Sequence, residues 1–229
     1  MKETFNALII VVLGLISMVV ASERPINYTT QVFDFGHVAI DFNLFHSFQY
    51  VNDTDHPVKI LEAETNCDCS TVSLSDSVLT PGDTAFIRLT FNTRDYYGAT
   101  SKAITVVTDD PENTQIKYYY TSVVGQWFYN LRPNPQSLFF LPGKKGMVVR
   151  VPNTKFDKIE LKNLTQYDNT FSVNVIKRKA GRGETVELDV TPADGLGRGN
   201  HLSTLTLEIE VSDLEKPTVL SLPVKIARY

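Results

Sequence analysis

The chain has 229 residues, 42% of them hydrophobic and 21% charged, which is enough for two small cores and far from a disordered composition. A net charge of -4 and a pI near 5.6 provide no one-sign field to hold nucleic acid or an anionic membrane surface. A packed protein of two domains is expected, with no nucleic-acid partner.

Met1 to Ala21 stands apart from the rest. Lys2 is followed by an almost wholly apolar run from Ala7 to Val20, with Val19 and Ala21 placed before the polar Ser22-Glu23. This is the layout of a secretory signal peptide. A retained anchor is the alternative, since about 17 residues is the lower limit for spanning a bilayer. The first cysteine is Cys67, far from the run, so a lipoprotein anchor has no residue to modify there. The expected location is the periplasm or the cell surface, with no membrane contact after cleavage.

Beyond the leader, short stretches rich in β-branched and aromatic residues are broken by Asn, Asp, Gly and Pro every ten or so residues, which is a strand pattern. The first strand is read at Gln31 to Phe35, closed by Gly36. The second runs from Leu44 to Val51 with Leu44, His46, Phe48 and Tyr50 on one face. Asn52 to Pro57 is the turn, and Val58 to Ala63 is expected to return antiparallel toward Thr65-Asn66-Cys67-Asp68-Cys69-Ser70. Val72 to Leu74 and Val78-Leu79 are short edge pieces before the Pro81-Gly82-Asp83 turn. Thr84 to Asn92 alternates, with Ala85, Ile87, Leu89 and Phe91 on the apolar face. Strands at Ser101 to Thr108 and Gln115 to Val124 follow, separated by the Asp109 to Asn113 turn. About seven strands in about a hundred residues is the count of an immunoglobulin-like sandwich.

Asn130-Leu131-Arg132-Pro133-Asn134-Pro135 reads as a linker, since each proline fixes its own φ and extends its predecessor. After it the pattern repeats at an offset of about a hundred residues. Tyr50-Val51-Asn52 recurs as Val151-Pro152-Asn153, and Leu89-Thr90-Phe91 as Leu188-Asp189-Val190. The expected fold is all-β: two tandem immunoglobulin-like antiparallel β-sandwiches at 22–128 and 129–229, after a signal segment at 1–21.

Phe33-Asp34-Phe35-Gly36, Cys67-Asp68-Cys69, Pro81-Gly82 and the run from Gly98 to Asp109-Asp110-Pro111 follow one another at defined spacing. In these motifs the segment Phe33 to Gly125 resembles the bacterial family called domain of unknown function 1573. The resemblance implies an exported immunoglobulin-like domain with a mid-domain Cys-x-Cys, and it implies no reaction. Asp68 stands where the family usually has glycine, and no glycine follows Asn52. The first departure matters more, because glycine permits backbone angles that aspartate resists.

Cys67 and Cys69 are the only cysteines and carry the distinctive chemistry. They can form a local disulfide, exchange thiols with a partner, or bind copper or zinc. In an extended stretch their Cα atoms would lie about 6.5–7 Å apart, at or beyond disulfide reach, so a bond needs a bend at Asp68. A closed zinc site wants four ligands, and the chain has four histidines. If Asn52 to His56 closes a hairpin, Cys67 comes near Asp41 and His46 lies roughly 17 Å along the strand. That leaves His37 as the companion for a metal site, with His201 in the second domain. We read the cysteine pair as structural first, redox-active second and metal-binding third. His37 and His46 taken alone read as ordinary loop and strand residues.

Other features are given plain readings. Lys177-Arg178-Lys179 with Arg182 is a solvated hairpin tip rather than a polyanion site. Tyr118-Tyr119-Tyr120 and Trp127-Phe128-Tyr129 read as an aromatic seam, with a carbohydrate or protein patch as the alternative. Asn27, Asn52 and Asn163 match the glycosylation triplet by chance in a bacterial protein. No catalytic constellation can be placed and no cofactor is expected. The expected function is a non-enzymatic binding or assembly module of the cell envelope whose partner is another envelope protein or a surface polymer. The alternative is a thiol-redox or metal-handling protein.

Overall fold

A computed structural model describes residues 31–229. The leader at 1–21 and the triplet at Asn27 lie outside the described residues. In the first half the strands are β1 (Val32–Val38), β2 (Asn43–Val51), β3 (Val58–Thr65), β4 (Ser70–Leu74), β5 (Val78–Leu79), β6 (Thr84–Asn92), β7 (Gly98–Thr108) and β8 (Gln115–Val124). A single 3-10 turn at Phe128–Asn130 follows. The second half holds β9 (Leu138–Phe140), β10 (Met147–Pro152), β11 (Lys158–Gln166), β12 (Phe171–Lys177), β13 (Lys179–Gly181), β14 (Thr185–Pro192), β15 (Gly199–Val211) and β16 (Thr218–Arg228).

Each half packs a three-stranded sheet, β2-β6-β4 or β10-β14-β12, against its share of a ten-stranded sheet. Two cores result. The first is built around Phe35, Phe48, Leu89, Phe91 and Tyr120, the second around Phe140, Leu161, Leu188, Leu207 and Ile226. The alternation read in the sixth strand does the packing: Ala85, Ile87, Leu89 and Phe91 are all fully buried. Trp127 and Phe128 already pack on the second core.

Three local expectations are corrected. Gly36 does not close the first strand, because β1 continues to Val38 through a register shift between Asp34 and His37. At φ +62° Gly36 lies against β16, and a Cβ there would overlap the Val219 backbone carbonyl. β2 and β3 do not form a hairpin: β2 pairs with β6 and β3 with β7 and β5, so Asn52 to Pro57 arches from one sheet to the other. The sandwiches are also not wholly antiparallel, since β1 runs parallel to β8 and to β16, and β9 parallel to β16.

The two halves are joined through β1, which pairs with β8 on one side and meets β16 at His37–Leu220 on the other. A second tie lies beside it. The Phe45 amide donates to Thr204 Oγ1 at 2.7 Å, and the Phe45 ring sits 5.8 Å from Tyr167.

The repeat is visible at atomic detail in one residue. Asn52 is buried, and its Nδ2 donates to the His56 and Leu79 carbonyls, both at 2.9 Å. Asn153 is buried in the same place, and its Nδ2 donates to the Phe156 and Ala180 carbonyls at 2.9 and 3.1 Å. Each stitches the inter-sheet arch to a facing edge strand, so that the buried amide is itself hydrogen-bonded. The Asp109-Asp110 turn has a similar logic. Asp109 accepts the Lys59 amide at 2.7 Å, while buried Asp110 accepts from the Glu112 amide and from Asn113 Nδ2.

Candidate functional site

β3 ends at Thr65, and the chain reverses at once into β4. Thr65 Oγ1 lies 2.9 Å from the Cys67 carbonyl and 3.2 Å from that of Ser70, and the Ser70 amide donates to the Cys67 carbonyl at 3.3 Å. This tight turn draws the Cα atoms of Cys67 and Cys69 to 5.2 Å, and the two are disulfide-bonded. Asp68 sits in the turn without positive φ, unlike Asp41, Tyr129 and Asn130. Replacing the family's glycine therefore demands no left-handed backbone.

Beneath the disulfide the Ser70 hydroxyl and the Tyr120 hydroxyl are hydrogen-bonded at 2.6 Å in a buried position. Cys67 Sγ lies 3.9 Å from Tyr120 Oη, and Cys69 Sγ 3.6 Å from Ser70 Oγ. Burial raises the Tyr120 phenol above its ordinary value, and the bond to Ser70 offsets part of that. Tyr120 is thus a neutral phenol that couples the turn to the aromatic core, where its ring faces Phe35 and Phe91.

Two more loops meet the turn at the same pole. Thr93 binds the β1–β2 loop: its amide and hydroxyl reach the Phe42 and Ala39 carbonyls, and its Oγ1 accepts the Phe42 amide. Arg94 Nε donates to Asp41 Oδ1 at 2.8 Å, and the carboxylate holds the guanidinium above its usual range. Asp41 therefore approaches the cysteine turn through Arg94, not through a β2–β3 hairpin. Asp68, Cys69, Asn92, Arg94, Asp95 and Tyr96 line an open depression of about 400 Å³. Lys102 Nζ lies 5.0 Å over the Tyr96 ring. Beside it Ile40 and Tyr97 crowd over Gly125 and remain 43% and 71% exposed.

Residues 26–123 match the model of the family described as Protein of unknown function (DUF1573). The match spans most of the first sandwich and less than half of the chain. No curated protein matches the chain. Among solved structures, a protein of unknown function from Porphyromonas gingivalis W83 aligns at 9% identity and a TM-score of 0.34, over 86% of this chain and 98% of its own. The Pseudomonas aeruginosa CupB2 chaperone aligns at 11% and 0.33, over 84% and 96%. The Vibrio cholerae VesB protease aligns at 11% and 0.36 over 41% of this chain, which spans 30% of that protease. These likenesses are loose, and the architecture rests on the strand pairing itself.

The remaining sequence candidates lie away from the disulfide-bearing pole or are already engaged. His37 donates through Nδ1 to the Gln126 carbonyl at 2.7 Å and faces Phe128, at the junction of the halves. His46 stacks on Phe33 with centroids 3.6 Å apart, and burial pushes its pKa down to about 4. His201 is held by the Gly197 carbonyl. Both sulfurs share one bond, and among the described residues no three His, Cys, Asp or Glu side chains gather to hold a metal ion. In the basic loop, Lys177 pairs with Glu184, Lys179 with Glu160 and Arg182 with Asp157, so its charge is largely answered. Phe128 stacks on Phe156 at 5.9 Å, and Lys155 lies 3.4 Å over the Tyr129 ring, which makes this group a seam on the second sandwich. The sequence reading missed the Tyr120–Ser70 bond and the Arg94, Tyr96 and Tyr97 loop. The available signal was the Tyr-Tyr pair next to Gly98, a flexible residue ahead of a long strand.

Proposed function

We propose that the protein is an exported, non-enzymatic binding or assembly module of the cell envelope, and that the disulfide-bearing pole engages another envelope protein. The observation that carries this is the convergence of three loops, each fixed from within, around exposed Tyr97 and Ile40 and the depression beside Cys69. Rigid tyrosines on preorganised loops provide contact area at low entropic cost, as in other loop-built binding surfaces. A photo-crosslinking residue at Tyr97, tested in the native envelope, should give protein adducts that Tyr96→Ala weakens. A matching probe at Phe139 on the second sandwich should not. Adducts absent at Tyr97, or equal at both positions, would overturn the assignment.

A second function draws on the position of Cys69 at the lip of that depression. A dithiol partner would attack Cys69 Sγ, break the Cys67–Cys69 bond, and leave Cys67 as the released thiolate. The partner's second thiol would then displace Cys69 and close its own disulfide, so the partner is oxidised as this pair is reduced. In a Cys67→Ser chain the lone Cys69 thiolate should attack the disulfide form of the same partner, releasing one partner thiolate, and with no Cys67 to resolve it the mixed disulfide should stay trapped in the envelope. If none forms, this second function is dropped.

A further inference from the structure

Among the described residues, most sheet edges that could accept another strand are guarded, and β9, paired only with β16, is three residues long. The β2 edge is met by the second sandwich at Thr204. β10 is bridged by the linker at Asn134–Arg150, and β5 and β13 are two and three residues long. β3 and β11 each carry a register shift and charged residues, Glu62 and Glu64 in one and Lys162 in the other. β12 has a shift between Val175 and Lys177 and ends on that lysine. Bulges, charges and covers of this kind are how soluble proteins blunt their edges.

β4, Ser70-Thr71-Val72-Ser73-Leu74, has none of them: no charge, no proline and an unbroken register with β6. It lies at the end of its sheet. The bonds flanking it fix which backbone groups are used. The Asn92 amide binds the Cys69 carbonyl and the Ser75 amide the Phe86 carbonyl, so odd-numbered residues face β6. Val72 and Leu74 therefore turn their amides and carbonyls outward, away from β6. Their side chains pack on the first core but stay half-exposed, while Thr71 and Ser73 point to solvent.

We propose that the free edge of β4 accepts an added strand from a protein partner: an extended, uncharged segment with apolar residues at alternate positions. This rests on the binding function proposed above and names its route. Unpaired amides and carbonyls at Val72 and Leu74 recognise extended backbone, and alternate apolar side chains would complete the cover over Val72 and Leu74. A second copy of this chain is the poorer occupant. β4 is about 17 Å long, and a β4–β4 contact would cover only a few hundred Å², well under the roughly 1,200 Å² of a small stable interface. A partner segment gains the rest at the adjoining depression, because Cys69, one residue before β4, lines it.

The test uses the whole exported chain and short phage-displayed peptides as the probe. Selected peptides should alternate apolar and polar residues, and adding them should slow hydrogen exchange at the Val72 and Leu74 amides. Val72→Pro removes an outward amide that the fold does not use, so it should leave the melting temperature nearly unchanged while weakening peptide binding about tenfold or more. Methylating alternate peptide nitrogens should abolish binding in one register of positions and spare it in the other. Four results would overturn the proposal: no peptide is selected, binding survives Val72→Pro, protection falls elsewhere, or Val72 and Leu74 are already protected in the free chain. If that protection tracks dimer formation in sedimentation, the occupant is a second copy. Binders that survive Val72→Pro leave the polar-loop function standing, whereas absent Tyr97 adducts in the envelope sink that function whatever the peptides do.

Discussion

The two sandwiches build the same turn by different means. In the first, the turn between β3 and β4 is closed by the Cys67–Cys69 disulfide, and the Asn92 amide binds the Cys69 carbonyl at 2.8 Å. In the second, the turn between β11 and β12 is closed by Asp168, whose Oδ1 accepts the Thr170 amide and hydroxyl, and the Ala193 amide binds the Thr170 carbonyl at 2.8 Å. Thr170 thus occupies the place of Cys69. The scaffold makes this turn without a disulfide, so the sulfur bridge is an addition to one pole rather than a condition of the fold. The poles also point to different tasks. Tyr167, beside the Asp168 turn, packs toward Phe45 of the first sandwich, whereas Tyr97 faces solvent.

That likeness is broken most severely at the buried asparagines. Asn52→Ala should destabilise the first sandwich by about 4 kcal/mol, because the four hydrogen bonds that tie this buried side chain to the arch and to β5 are lost. Asn153→Ala should do the same to the second. Calorimetry of both variants decides whether the two cores melt as separate units. Two transitions, each shifted by its own substitution, are expected. Gly36→Ala follows at about 3 kcal/mol, combining left-handed backbone strain with overlap on Val219. It should loosen the junction while leaving both cores intact, read as a larger radius of gyration in solution scattering.

His46 separates the halves by pH, since Met147 stands at its place in the second sandwich, opposite Val190 as His46 is opposite Leu89. Rings of Phe33, Phe35 and Phe48 surround His46, and burial lowers its pKa from 6.5 to about 4. The folded state holds it neutral, so no stability is lost above pH 6.5, where the unfolded chain is neutral too. Below that the unfolded state binds the proton first, and stability falls by about 1.4 kcal/mol per pH unit until about pH 4. Between pH 6.5 and 5 the first transition should lose about 1.5 kcal/mol more in the native protein than in His46→Met.

Much of the architecture is legible in the sequence where one face is buried and the other wet. β6 shows this, because burial enforces a period of two. Strand partners are less legible. Asn52 to Pro57 has every mark of a hairpin turn, yet β2 and β3 lie in different sheets, and what decides it is burial of the Asn52 amide, which no local pattern reveals. The glycosylation triplet at Asn52, read as a chance match, has its asparagine side chain turned inward. Gly36 looked like a strand end because its reason lies at Val219, far along the chain. At the candidate site the cysteines announced themselves, but Ser70 and Tyr120 are ordinary residues until the fold brings them together.

The smallest expected effect tests whether the disulfide serves the fold or the pole. A ring closed by three residues restricts the unfolded chain little, so Cys67→Ser with Cys69→Ser should cost only about 1.5 kcal/mol. Asp168→Ala should cost the second sandwich about 1 kcal/mol through two lost hydrogen bonds. If both losses are this small and each sandwich keeps its own transition, the two closures are equivalent supports. The cysteines should then matter for binding out of proportion to stability, because only the first pole exposes tyrosines whose placement the turn maintains. The measurement is Tyr97 cross-linking in the double serine variant under conditions where it is fully folded. Loss of adducts assigns the disulfide to preorganisation of the pole. Unchanged adducts would show that hydrogen bonds from Thr65 and Ser70 already hold the loop, as Asp168 does in the second sandwich.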